Sequence, residues 1–361
     1  MQRFQCSVHV PRGPEESQAR ARWGYVAGLF DDIRPAVESP KSVDDVGREA
    51  LADVDSLRPV SGEGVLWRVR GVIRMMRPHQ WVKNVFVLAP VVFAKEIFDP
   101  LLLTRAASAF LVFCLLAAAV YTINDLADVE ADRSHPIKRF RPIAWGQVPP
   151  QLARTMAVVL VCVGLLWAGF TSLSLLAVAA AYFALNVAYS LKLKHVAYLD
   201  VACISSGFVL RVMAGGFGTR IQVSNYLLLC TALLALFLGF GKRRQELAVA
   251  MNKASLQRAA LESYTRRGLD IALGVTGVAT VITYLAYTLD PHTMAFFQSD
   301  YLWISTLFVL LGVSRFLFLV SHRPRAESPT QEMLKDGPFV AIMLSWVVLV
   351  MLLVYNLRPT R

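Results

Sequence analysis

From residue 84 onward the chain alternates between long apolar stretches and short polar intervals. The apolar runs fall near 84–98, 102–123, 152–170, 172–190, 196–217, 224–241, 269–289, 301–320 and 338–356. Most approach the ~20 residues a helix needs to cross a bilayer. They predict an all-α polytopic membrane helical bundle of about nine transmembrane helices. The first run is the weakest, because Pro90, Lys95 and Glu96 interrupt it. Residues 1–65 have another character, with mixed charge, prolines and no long apolar run. They lack the apolar core of about 7–15 residues that a cleavable signal peptide requires. This stretch reads as a cytosolic, partly disordered extension, with Phe30 and Ile33 in a short helix, and residues 66–361 as the transmembrane domain.

Composition narrows the class. Hydrophobic residues make up 55% of the 361 positions and charged residues 17%, with a mean hydropathy of +0.48. A soluble domain carries about 25% charged residues, so this chain has too few to coat a soluble globule. A cytosolic enzyme and a disordered chain are both disfavoured. The formal net charge is +11, while residues 1–70 hold 10 basic and 11 acidic residues. The positive excess therefore belongs to the apolar body, which suits anionic lipid headgroups and anionic substrates. Nucleic acid is not expected as a partner, since the positive charges lie in short loops between apolar runs. Cys114, Cys162, Cys203 and Cys230 fall inside apolar runs, and Cys6 stands alone near the start. Neither a zinc site nor a disulfide framework is predicted.

Lys and Arg set the expected orientation. The loops after the even-numbered spans hold seventeen of them; the opposite side holds five: Lys95, Arg105, Arg220, Arg358 and Arg361. The even loops and the amino terminus are predicted to be cytoplasmic, and the carboxyl terminus external.

The densest polar constellation begins where the second span ends: Asn124-Asp125-Leu126-Ala127-Asp128-Val129-Glu130-Ala131-Asp132. On a helix Asn124, Asp128 and Asp132 share one face. Three oxygen donors there resemble a seat for Mg²⁺ bridging a diphosphate, because Mg²⁺ takes a few carboxylates together with waters and phosphate oxygens. Lys138, Arg139 and Arg141 follow at once, an arrangement that suits an anion held between metal and cations. His135 reads as a loop-structuring residue. Arg211 lies inside an apolar span, where a charge faces a cavity or a partner. Tyr189, Lys194 and Asp200 surround the loop between spans four and five. Asp200 is placed to hold a ribose hydroxyl or to pair with Arg211. Arg77 and Trp81 read equally as headgroup anchors and as site residues, whereas Lys83 and Asn84, one turn further in, read as substrate contacts.

An Asn-Asp-x-x-Asp-x-x-x-Asp box after the second of nine spans, followed by a basic Arg-Pro loop, resembles the UbiA superfamily of intramembrane prenyltransferases. The likeness covers residues 70–356. Within it the chain is similar to the decaprenyl-phosphate phosphoribosyltransferase branch. The matching strings are Arg77-Pro78-His79-Gln80-Trp81-Val82-Lys83-Asn84, Lys138-Arg139-Phe140-Arg141-Pro142-Ile143, Leu193-Lys194-His195 ahead of Asp200, Arg211-Val212-Met213-Ala214-Gly215-Gly216, Gly241-Lys242-Arg243 with Glu246-Leu247, and Glu262-Ser263-Tyr264. Aromatic prenyltransferases of this superfamily resemble a site with a second acidic box after span six. Here that loop contains Lys242, Arg243, Arg244 and Glu246 and no Asp.

The resemblance implies transfer of 5-phosphoribosyl from 5-phosphoribosyl 1-diphosphate to a membrane polyprenyl (decaprenyl) phosphate, with Mg²⁺ as cofactor. It implies Asp125, Asp128 and Asp132 as catalytic residues and Asn124, Asp128 and Asp132 as metal ligands. Substrate would be bound by Lys83, Asn84, Lys138, Arg139, Arg141, Tyr189, Lys194, Asp200, Arg211, Lys242, Arg243 and Glu246. The enzyme would reside in the plasma membrane with its site facing the cytoplasm. Two rival readings are an aromatic prenyltransferase of the same fold and a lipid-phosphate carrier. Nothing in the chain fixes whether copies associate as a homo-oligomer.

Overall fold

The computed structural model describes residues 64–135, 137–253, 263–322, 333 and 335–355. The amino-terminal extension, Glu262, Arg358 and Arg361 lie outside the described residues, and with them the expectations placed there. The elements are α1 (Val65–Met76), a 3-10 helix (Pro78–Leu88), α2 (Ala89–Phe93), α3 (Pro100–Ala127), α4 (Val129–Ser134) and a 3-10 turn (Lys138–Phe140). After these come α5 (Pro150–Thr171), α6 (Leu173–Leu191), a 3-10 turn (Leu193–His195), α7 (Leu199–Thr219) and α8 (Asn225–Lys253). The last are α9 (Arg266–Leu289), α10 (Pro291–Phe297), α11 (Ile304–His322) and α12 (Gly337–Val354). Among the described residues there is no strand. Eight helices among the described residues, α3, α5, α6, α7, α8, α9, α11 and α12, are long and apolar enough to cross a membrane. The chain is a multi-pass membrane protein.

The expected first span is not a regular α-helix. Arg77 turns the backbone at φ 51°, and 11 residues of 3-10 helix then lead into the 5 residues of α2. Pro90 lacks the N–H that a continuous helix would direct at the Phe86 carbonyl, which accepts from the Ala89 N–H instead. At ~2.0 and ~1.5 Å per residue the segment still covers about 30 Å, a hydrocarbon thickness. It runs the length of α3. Arg77 at its start meets Asp125 at the end of α3, and Lys95 just beyond it precedes Asp99, which caps the start of α3 through the N–H groups of Leu101 and Leu102. Among the described residues this irregular segment stands in place of the expected first spanning helix.

A second difference concerns the sixth span. Gly241, Lys242, Arg243 and Glu246 do not form a loop, because α8 continues unbroken to Lys253.

Two cores organise the bundle. Val112, Phe113, Leu116, Leu175, Tyr182 and Ala214 join α3, α6 and α7. Val201, Phe237, Leu269, Leu273 and Phe316 join α7, α8, α9 and α11. α7 belongs to both and carries the glycine that lets the irregular segment approach. A Cβ at Gly215 would lie 1.9 Å from the carbonyl oxygen of Val87. Side-chain caps at Ser172, Thr265 and Asp336 fix where α6, α9 and α12 begin.

Candidate active site

The acidic box straddles a break in the helix. α3 ends at Ala127, Asp128 forms a turn, and α4 starts at Val129. The helical register nevertheless continues. The Asp128 N–H donates to the Asn124 carbonyl at 3.0 Å, and the Asp132 N–H to the Asp128 carbonyl at 2.8 Å. Asn124 Nδ2 donates to Asp128 Oδ2 at 3.1 Å, so these two side chains share a face as expected. Asp125 and Asp132 are buried, and a buried carboxylate needs a partner. Arg141 Nη1 serves both, at 2.7 Å from Asp132 and 3.2 Å from Asp125. Arg77 Nη2 approaches Asp125 to 2.5 Å. Asp128 remains 35% exposed in its side chain, with Lys194 Nζ at 3.7 Å.

A second cluster gathers around Arg211. Its Nε donates to Asn84 Oδ1, Nη1 to the Gly207 carbonyl and Nη2 to the Tyr182 hydroxyl, each at 2.8 Å. The guanidinium also lies over the rings of Tyr182 and Phe208. Lys83, on the same 3-10 helix as Asn84, is within electrostatic reach of Lys242, Arg211 and Arg77. Its ammonium makes no hydrogen bond or ion pair among the described residues. This is a convergence of cations with one of them unmatched, a setting that favours an anion.

The third cluster begins with Asp200. Its Oδ2 accepts from Arg243 Nε at 2.6 Å and its Oδ1 from the Tyr264 hydroxyl at 2.5 Å. Arg243 also donates to Glu246, and Lys242 Nζ stands 3.9 Å from the same carboxylate. The alternative pairing of Asp200 with Arg211 is therefore not realised. Arg211 faces Asn84 and Tyr182, and Arg243 is the buried cation that Asp200 neutralises. Burial and the hydrogen bond to Asp200 push the Tyr264 hydroxyl far above the usual tyrosine range, so it stays a donor. The same hydroxyl accepts from the Tyr198 N–H at 2.7 Å. It thereby ties the entry to α9 to the entry to α7.

Most of the residues singled out in the sequence join these three clusters. Tyr189 is within electrostatic reach of Arg243. Lys138 and Arg139 do not join them. Lys138 is exposed, and Arg139 stacks over Phe140 at 4.8 Å. His135 Nδ1 accepts from the N–H groups of Ile137 and Lys138, a loop-structuring role. Sequence reasoning missed Tyr182 and undervalued Arg77. Tyr182 left one signal, since a tyrosine hydroxyl within an apolar span needs a partner.

Among the described residues no three His, Cys, Asp or Glu side chains form a set able to enclose a metal. Asn124 and Asp128 offer a smaller set, two oxygen-bearing side chains on one face. That fits the Mg²⁺ habit of taking one or two carboxylates and completing its shell with water and substrate phosphate. Asp132, the expected third ligand, is held by Arg141.

An apolar cavity of about 730 Å³ adjoins the polar region, lined by residues including Phe86, Pro90, Phe93, Tyr284, Tyr287 and Trp346. Phe86 packs edge-on against Phe208, the ring beneath Arg211.

Comparison with known proteins gives a consistent picture. Residues 85–335 match the model described as "UbiA prenyltransferase family". The chain is 36% identical over 289 residues to a decaprenyl-phosphate phosphoribosyltransferase of Corynebacterium glutamicum, covering 79% of this chain and 87% of that one. It is 38% identical over 285 residues to the Mycobacterium tuberculosis protein of the same name, covering 77% and 92%. The fold is similar to a UbiA homolog from Archaeoglobus fulgidus bound to GPP and Mg²⁺, at a TM-score of 0.58 and 18% identity, covering 79% of this chain and 99% of that one.

Proposed function

The chain belongs to the UbiA prenyltransferase family, and from that premise we propose that it moves the 5-phosphoribosyl group of 5-phosphoribosyl 1-diphosphate onto a membrane polyprenyl phosphate, decaprenyl phosphate by analogy with its relatives. The observation that carries this reading is the charge layout. One acidic box stands with a cationic cluster in which Lys83 lacks an ion pair, and the continuation of α8 is basic where a prenyl-diphosphate enzyme would repeat the acids. A donor with a diphosphate at one end and a separate phosphate at the other suits that asymmetry.

The C1–O bond to diphosphate breaks as C1 gains oxocarbenium character. A phosphate oxygen of the lipid forms the new C1–O bond from the opposite face and inverts the anomer. That phosphate is already ionised at neutral pH, so no strong general base is needed. Asn124 and Asp128 would hold Mg²⁺, which when bound neutralises the leaving diphosphate. Arg141 and Arg77 hold the Asp132 and Asp125 carboxylates in place. Lys83 and Lys242 would grip the 5-phosphate, and Arg211 orients Asn84. The apolar cavity beyond Phe86 receives the isoprenoid end next to the phosphate. The site is assigned to the cytoplasmic side of the plasma membrane, in line with the distribution of Lys and Arg.

The test is an assay of purified protein with 5-phosphoribosyl 1-diphosphate, Mg²⁺ and a polyprenyl phosphate, scored for diphosphate and for the phosphoribosylated lipid. Transfer of a prenyl group to an aromatic acceptor in its place would overturn the assignment.

A further inference from the structure

α1 precedes every spanning segment and, at 12 residues, is too short to cross a bilayer. One of its faces is packed. Gly71 and Met75 are buried, with Met75 in a cluster with Ile143, Val148 and Ala153, flanked by Leu126 and Val129. The Trp67 carbonyl accepts from Gln147 Nε2 at 2.8 Å, and a Cβ on Gly71 would meet the Gln147 side chain at 2.6 Å. These contacts place α1 where α3 ends and α5 begins, at the acidic-box end of the bundle and so at the membrane boundary. Its C-cap is Arg77, which reaches Asp125.

Another face of α1 is apolar and open. Val65, Val69 and Ile73 recur every four residues along one stripe, with Leu66 beside it, and their exposures are 78%, 48%, 53% and 85% respectively. Arg68, Arg70 and Arg74 border the two faces, and α1 carries no acid. These arginine side chains are exposed and make no ion pair among the described residues. An apolar stripe beside a row of arginines is the pattern of a helix lying at the lipid–water interface, its apolar side in the acyl boundary and its cations among the headgroups. A neutral surface would complement only the stripe; an anionic one complements the arginines as well.

We propose that α1 docks on the anionic phospholipid headgroups of the leaflet at the acidic-box end, with Arg70 and Arg74 as their main contacts. The docked helix holds Arg77, and through it the acidic box, at headgroup depth. This inference does not depend on which reaction the site performs.

The test uses the full chain in vesicles. A nitroxide on Ile73→Cys, with Cys6 and Cys162 replaced, should collide with oxygen and be shielded from a water-soluble nickel complex. Spin-labelled phosphatidylglycerol should associate in preference to phosphatidylcholine. Replacing Arg70 and Arg74 by Gln should lower that preference by about fivefold per arginine, the factor equivalent to about 1 kcal/mol for each basic residue near an anionic surface. Raising the salt concentration on the unaltered chain should erode the same preference without any substitution. An unchanged preference in the double variant or at high salt would overturn the proposal. So would ready collision of the Ile73 label with the nickel complex. A label shielded from both reagents and freed by deleting residues 1–63 would identify the extension as the occupant instead.

Discussion

Burial separates the carboxylates of the acidic box. Asp125 and Asp132 are enclosed with Arg77 and Arg141, whereas Asp128 is open and, among the described residues, meets Asn124 and, more loosely, Lys194. Asp128→Ala should therefore lower turnover by about a hundredfold or more, equivalent to about 2.7 kcal/mol of transition-state stabilisation, with unchanged elution and melting. Steady-state assays with and without EDTA check it, and full activity in EDTA would sink the metal assignment. Among the basic residues, the exposed and the buried should behave differently. Lys83→Gln and Lys242→Ala should raise KM for the sugar donor several-fold more than KM for the lipid. Arg243→Ala strands Asp200 and Glu246 and should cost about 3 kcal/mol of stability, seen as a fall in Tm before any kinetic effect is read. Arg211→Lys keeps the charge and loses the planar fork shared by Asn84, Tyr182 and Gly207. A loss of about 2 kcal/mol is expected there, from buried polar groups left without partners, again measured by Tm in detergent.

At the scale of elements, the segment from Pro78 to Phe93 depends on α7 more than on its own helical propensity. Its backbone meets α7 at Gly215, where a Cβ would lie 1.9 Å from the Val87 oxygen. Gly215→Ala should cost roughly 2 kcal/mol or more, through a shift of one backbone against the other. Gly274→Ala is the contrasting case. Gly274 lies within α9 with nothing within 4 Å of its added Cβ, so alanine should stabilise by about 0.8 kcal/mol through helix propensity. Opposite changes in Tm for the two substitutions would verify the contact. The interruptions at Pro90 and Lys95 were visible in the sequence, but the 3-10 course was not. It depends on a neighbouring helix more than 120 residues further along the chain.

For the whole molecule, the prediction is one of sidedness. The acidic box and the Asp200–Arg243 cluster occupy one end of the bundle, with the Arg211 cluster further in along α7, and Asp300 lies in the turn after α10, near the end where Lys95 contacts Phe296. With Cys6 removed, Ser134→Cys should resist an impermeant thiol reagent in intact cells and react after permeabilisation, and Asp300→Cys should do the reverse. Labelling of position 134 in intact cells would place the site on the outside and contradict a cytosolic sugar donor. The sequence by itself determined the helical membrane bundle and the acidic box, because hydropathy and helical spacing are local and are written in consecutive residues. It also marked Arg211, since a charge inside an apolar run is conspicuous wherever the chain folds. Only the tertiary structure decided that Asp200 pairs with Arg243, 43 residues away, and that Arg211 takes Asn84, 127 residues away. Which charges neutralise one another depends on which helices become neighbours, and that is settled by packing between spans of nearly uniform apolar composition. The same packing enclosed Asp125 and Asp132 with arginines and left Asp128 and Lys83 open.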